Sequence, residues 1–525
     1  MDHPRDILLI VVDDLRPQLA SYGSTFMHTP NMDQLVSEGV LFERAYAQIA
    51  ICSPSRNSFL SGRYPSSTGV FNFIDDFRNG TATGSEMVAL PEFFRLGGYH
   101  TMGAGKVYHA NHPPNFDGNR SWSEPWPGDY GNCNCIHPSA SSASARHWPP
   151  PNGQATCEGL RPSSCGDDTI VATVVAQLGS VVATRARGAA RVPFFVAAGL
   201  HKPHLPFYAP QADFALYRGV APAASNPMTP SDMPYVAWHS CLSDNAANYS
   251  NWGRFGDIAN NMTLSTPMDA AATARLRRGY YASVTYTDRN VGKILAAAEP
   301  MRNTTIVALI ADHGFHLGEQ NLWCKMTNFE NSVRVPLILR APGVQAAAGM
   351  RISQLAEAVD LYKTLAELSG VGLESVDPSV DGVSLAPLVM QPHAKPMRTV
   401  AQSQYPRCFS AINATPSPLP TLDRTDCQDV PRAEFDLMGF SIRTASFRLT
   451  EWRVWDRASL RGRWDVAPTA IELYRHADDD KLTDPFSTET ANVAADPLLA
   501  PTLKDLQDLL RDTFHDARRG QRTHR

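Results

Sequence analysis

Acidic residues stand where two buried strands should end. The run Ile7–Val12 is wholly aliphatic and leads straight into Asp13 and Asp14; the run Thr304–Ala311 leads into Asp312 and His313. Runs of this kind predict strands of a parallel sheet buried on both faces. In open α/β sheets ligands sit outside the carboxyl ends of the strands, so three carboxylates and an imidazole are expected at one crevice. Carboxylates that close repel one another, and a cation among them lowers that cost. Oxygen donors suit a hard cation, Ca²⁺ or Mg²⁺.

A thiol and two arginines form the second cluster, in ICSPSRNSFLSGRYP, Ile51–Pro65. Pro54 suits the first turn of a helix, Ser53 is a natural N-cap and Gly62 a natural stop. Cys52 then stands at a helix N-terminus, beside backbone N–H groups and Arg56. That is an anion site, and a cysteine there is expected to have a depressed pKa and to act as a nucleophile.

These residues need a frame. Val40–Ala45, Val192–Ala198 and Val335–Leu339 read as further strands. Asn31–Gly39 (capped by Asn31), Asp168–Thr184 and Ala271–Ala298 read as helices. Strands alternating with helices predict an α/β fold, with a large, mostly parallel or mixed sheet sandwiched by helices. Asn111–Gly166, rich in Pro, Gly, Ser and Cys, and Ala209–Met268 read as irregular. After Met390 the composition shifts to alternating β-type residues (SIRTASFRLTEWRVW, Ser441–Trp455), then a helix over Leu503–Phe514. The expected division is a catalytic domain over 1–390 and a smaller C-terminal α+β subdomain with an antiparallel sheet over 391–525.

Composition narrows the class. The 525 residues are 43% hydrophobic and 19% charged, which is globular, and the net charge of −5 with no long basic run gives no reason to expect a nucleic-acid partner. The basic tail Arg511–Arg525 reads as a solvated terminus. No apolar run approaches the ~20 residues of a membrane span, and Ile7–Val12 lacks the cleavage site of a signal peptide. Setting Cys52 aside leaves Cys133, Cys135, Cys157, Cys165, Cys241, Cys324, Cys408 and Cys427, an even set that fits disulfides. Six N-x-S/T triplets start at Asn79, Asn119, Asn248, Asn261, Asn303 and Asn413. Together they favour a secreted or lysosomal-type glycoprotein, although no signal peptide is read in the chain.

Cys52-Ser53-Pro54-Ser55-Arg56 resembles the sulfatase signature C-x-P-S-R, and Leu60–Arg63 (LSGR) looks like its second half. The likeness runs on through LLIVVDDLRP (Leu8–Pro17), GKVYH (Gly105–His109), HKPHLPF (His201–Phe207), ADHGFHLGE (Ala311–Glu319), DLYKTLAELSG (Asp360–Gly370), DGVSL (Asp381–Leu385) and ELYRHADD (Glu472–Asp479). VVDDLRP, GKVYH, HKPHLPF and SQYPR (Ser403–Arg407) are similar to the branch that acts on uronate 2-sulfates. The resemblance implies a formylglycine-dependent hydrolase of the alkaline-phosphatase-like superfamily, taking sulfate from a sulfated sugar or polysaccharide such as a glycosaminoglycan.

It also implies residue roles. A formylglycine-generating enzyme would convert Cys52 to Cα-formylglycine. One hydroxyl of its hydrate would attack sulfur and the second would expel sulfate, a step closed to serine, which has one hydroxyl. Asp13, Asp14, Asp312 and His313, with one oxygen of modified Cys52, would hold Ca²⁺. Arg56 would hold the diol, while Lys106 and His109 would contact sulfate and diol, His109 as the base of sulfate release. His201, the first histidine of HKPH and preferred by register to His204, would bind sulfate oxygens with Lys325 and serve the leaving oxygen. Phe315, His316 and the Asn111–Gly166 insertion depart from that branch, so the sugar is not implied. A phosphodiester or phosphonate monoester hydrolase, and an unmodified homologue that only binds sulfated glycans, are the alternatives.

Overall fold

Seven strands form the sheet that carries these acids: β1 (Asp6–Val12), β2 (Val40–Tyr46), β3 (His100–Gly105), β4 (Phe194–Leu200), β5 (Thr305–Ala311), β6 (Arg334–Arg340) and β7 (Met350–Glu357). The computed structural model describes residues 4–131, 135–136, 156–159, 161–162, 165–239, 262–343, 348–391, 394–409, 427–477, 479 and 484–516. Strand order is β7-β2-β6-β5-β1-β4-β3. β1 lies parallel to β4 and β5, with Val12 opposite Leu200 and Ala311. β3 is parallel to β4 and β7 to β2, while β6 runs antiparallel between β2 and β5. The sheet is therefore mixed. All seven residues of β1, β4 and β5 are buried, which explains their unbroken apolar sequence.

Helices sandwich this sheet. α1 (Pro30–Glu38) and α3 (Gly166–Ala186) both pack on α4 (Ala270–Ala298), and α2 (Cys52–Ser61) packs on α5 (Asp360–Ser369). The cap of α1 is Thr29 rather than Asn31, whose side chain donates to Asp288 Oδ2 at 2.7 Å. α3 is long and apolar enough to cross a membrane, but its Ile170, Val171, Val174 and Leu178 are buried, and it packs on α4, β3 and β4. Within Ala209–Met268 a short helix forms at Gln211–Leu216. Much of that stretch and of Asn111–Gly166, with Cys133, Cys241, Asn248, Asn261 and Asn413, lies outside the described residues, as does the tail beyond Asp516.

The C-terminal sheet is antiparallel: β8 (Ala401–Arg407), β9 (Leu437–Arg443), β10 (Phe447–Asp456) and β11 (Arg461–Gly462) in order, with β12 (Ala470–Arg475) also on β10. α6 (Ala500–Arg511) packs on it, starting three residues before the expected Leu503. Buried ion pairs join the two sheets' surroundings. Glu330 accepts from Tyr46 OH at 3.0 Å, Arg443 Nε at 3.2 Å and Arg448 Nη2 at 2.6 Å, while Arg448 Nε reaches Glu489 at 2.7 Å. Cys408 and Cys427 form a disulfide, and Cys157, Cys165 and Cys324 are disulfide-bonded as well.

Candidate active site

The register of β1 and β5 makes Asp13, Asp14 and Asp312 leave the sheet at one edge. Asp14 turns back with φ of 61°, a left-handed conformation that aspartate tolerates, and its N–H donates to Asp312 Oδ1 at 3.1 Å. α2 aims its N-terminus at these carboxylates. Its cap is Ile51, not Ser53, so Cys52 is the first helical residue, and Ser53 instead accepts from Asn57 Nδ2 at 3.1 Å. Gly62 ends the helix as expected; its φ is +66° and an added Cβ would lie 2.7 Å from Val380.

Around Cys52 the expected charges converge. Its Sγ lies 3.4 Å from Asp13 Oδ1, 3.4 Å from His313 Nε2 and 3.2 Å from Lys325 Nζ. Arg56 donates Nε to Asp312 Oδ2 at 3.0 Å, Nη2 to Asp13 Oδ1 at 3.2 Å and Nη1 to the carbonyls of Lys106 and Val107. Lys106 Nζ pairs with Asp13 Oδ2 at 2.6 Å, and Lys325 Nζ with Asp14 Oδ1. Three carboxylates thus face three fixed cations, and all six side chains are buried.

Burial would raise Asp13, but Lys106, His204, Arg56 and Lys325 hold it well below the usual carboxylate range. Asp14 is pushed up to about 6 and Asp312 to about 7, chiefly by burial. The expected depressed thiol is not found. Burial, then Asp13, push Cys52 up to about 12. A helix N-terminus does not outweigh complete desolvation beside a carboxylate.

The donor set fits a hard cation. Asp14 Oδ2 is buried without a hydrogen-bond partner. Ligand atoms of Asp13, Cys52, Asp312 and His313 lie within 4.8 Å of one another. His313 Nδ1 is 3.0 Å from the Gly314 carbonyl, which only accepts, so the ring proton sits on Nδ1 and the Nε2 lone pair faces the carboxylates.

One expectation needs adjustment. The structure brings His204, not His201, to the cluster: His204 groups with Asp13, Asp14 and Cys52 within 4.8 Å, whereas His201 Nδ1 lies 3.2 Å from Asp167 Oδ1. Sequence register alone does not say which ring of HKPH turns inward. His109 stands at the rim, half-buried, its ring 4.8 Å from that of Phe73, and it makes no hydrogen bond to Cys52. Phe315 is fully buried, stacked on Tyr280 at 5.6 Å.

Comparison with known proteins agrees with this geometry. The sulfatase family profile matches residues 5–371. An iduronate 2-sulfatase of Mus musculus is 32% identical over 537 residues, covering 91% of this chain and 90% of that protein. A solved structure described as a 2-O GAG sulfatase superposes with a TM-score of 0.65 at 18% identity, covering 100% of this chain and 94% of the other. The phosphonate monoester hydrolase of Agrobacterium radiobacter gives 0.65 at 20% identity, covering 97% and 96%. At such identities the structures share the fold.

Proposed function

The chain belongs to the sulfatase family and is a sulfuric ester hydrolase, and we propose that it removes the 2-sulfate of a uronate in a sulfated glycan, using formylglycine made from Cys52 and a bound calcium ion. The observation that carries the substrate reading is the 32% identity to an iduronate 2-sulfatase over nine-tenths of both chains. A thiol pushed up to about 12 stays protonated near neutral pH, which makes plain Cys52 a poor nucleophile and favours a modified one. The hydrated aldehyde supplies two hydroxyls, one to take the sulfuryl group and one to release it.

Asp13, Asp14, Asp312, His313 and an oxygen of modified Cys52 would hold calcium, which polarises sulfate oxygens when bound. Arg56, fixed by two carboxylates, holds the nucleophile's oxygen. Lys106 and Lys325 bind sulfate oxygens. His204 donates Nδ1–H to the Leu205 carbonyl at 2.6 Å and, grouped with Asp13, Asp14 and Cys52, is the proton donor to the leaving oxygen. That donation needs the imidazolium, whose pKa burial, then Lys325, Lys106 and Lys202, hold well below the usual histidine range, so the donor form gains as pH falls. His109, from the rim, is the base for sulfate release.

The maturation partner is a formylglycine-generating enzyme. The disulfides and the exposed asparagines of three triplets, Asn79, Asn119 and Asn303, support a secretory-route glycoprotein. The test is hydrolysis of an aryl iduronide 2-sulfate against aryl phosphodiesters and phosphonate monoesters. Preference for the sulfate by more than about a hundredfold in kcat/KM supports the reading; preference for the phosphorus esters overturns it in favour of the second hydrolase class.

A further inference from the structure

The loop His201–Pro206 delivers His204 to the nucleophile, and its own backbone has little to hold it. Pro203 and Pro206 have no N–H, so no regular ladder can form across it. Side chains fix it instead. Asp167, fully buried in the first turn of α3, accepts His201 N–H at 2.9 Å and lies 3.2 Å from His201 Nδ1 through Oδ1, and accepts Lys202 N–H at 3.0 Å through Oδ2. Lys202, also fully buried, donates Nζ to the carbonyls of His204 at 2.6 Å and Pro206 at 2.8 Å. Thr287 of α4 donates its hydroxyl to the Lys202 carbonyl at 2.9 Å.

We propose that Asp167 is the positioning residue of His204: by gripping the loop where it leaves β4, it sets the distance from the imidazole to the reacting atoms. A buried carboxylate costs free energy unless its oxygens are filled, and these are filled by the loop at three points. The inference rests on the proposed role of His204 as proton donor. Asp167 touches neither Cys52 nor the acidic cluster; it acts through the loop. Sequence spacing hid it, because Asp167 and Asp168 look like an ordinary acidic helix start.

The leaving group provides the test. A proton donor matters for a sugar alcohol, a poor leaving group, and little for a nitrophenol. His204→Ala is expected to lose about 10²–10⁴-fold on the sugar sulfate and far less on 4-nitrophenyl sulfate. Asp167→Ala should show the same leaving-group dependence in kcat, with KM little changed. In the His204→Ala background it should cost nothing further. Asp167→Asn, which keeps one acceptor oxygen, should recover part. Equal losses on both esters, or losses that multiply in the double variant, overturn the proposal.

The His204 imidazole signals of ¹⁵N-histidine-labelled protein report position without chemistry. They must move in Asp167→Ala. Unchanged signals overturn the proposal whatever the kinetics. If they move while His204→Ala is indifferent to the leaving group, the positioning stands and the donor role of His204 falls.

Discussion

Arg56→Ala probes the site's electrostatics most sharply. The guanidinium is fully buried, 3.0 Å from Asp312 and 3.2 Å from Asp13, and also fills two backbone carbonyls. Alanine leaves two buried carboxylates short of a partner, and breaking a buried pair in this way costs about 3–5 kcal/mol. An unfolding entropy of about 2.1 cal/mol/K per residue gives about 1 kcal/mol/K for 525 residues, hence a fall of about 3–5 °C in Tm. Scanning calorimetry should be run in EDTA and again in calcium. A divalent cation on the same carboxylates supplies the missing charge, so the fall should be larger in EDTA. Arg56→Lys should recover part of it, since one ammonium cannot span both carboxylates as the guanidinium fork does. An unchanged Tm in EDTA would refute the charge balance drawn here. An equal fall in both conditions would refute a cation at these residues.

Other consequences are equally open to measurement. Burial pushes Glu472 up to about 7, where it accepts from Trp452 Nε1 at 2.8 Å and Tyr474 OH at 2.7 Å. A raised carboxyl contributes stability that is complete below its unfolded pKa, ordinarily 4.5, and is lost as pH rises through about 7. Unfolding between pH 5 and 8 should therefore show Glu472→Gln losing less stability than the parent, by up to about 3 kcal/mol; an identical pH slope contradicts the assignment. The Cys408–Cys427 bond spans 19 positions, so a double alanine variant should lose about 3 kcal/mol in chemical denaturation, and no loss would show that the cross-link is idle. Cys52→Ser offers one hydroxyl, so it should turn over at most once and retain a sulfuryl group, read as a mass gain of about 80 Da. Steady turnover by that variant contradicts the two-hydroxyl chemistry.

Much of this was legible in residue order. Unbroken aliphatic runs revealed β1 and β5 because strands buried on both faces admit no polar alternation, and the acids that follow marked the ligand edge. Pro54 and Gly62 framed α2 through backbone constraints that are local. What depended on distant partners was not legible. Asn31 left its expected capping place for Asp288 in α4, 257 residues away. The thiol of Cys52 rose rather than fell because it is buried and lies beside Asp13. His204 and His201 differ by three positions, and the contacts that hold their loop come from side chains far off in the sequence, Asp167 and Thr287.

The state of residue 52 bears most directly on the proposed chemistry. Trypsin releases it in the peptide Ala45–Arg56. Conversion of the thiol to an aldehyde lowers that peptide's mass by about 18 Da, and active enzyme is predicted to carry the shift in step with its specific activity. Fully active enzyme whose Ala45–Arg56 peptide holds an intact, alkylatable Cys52 would contradict the account.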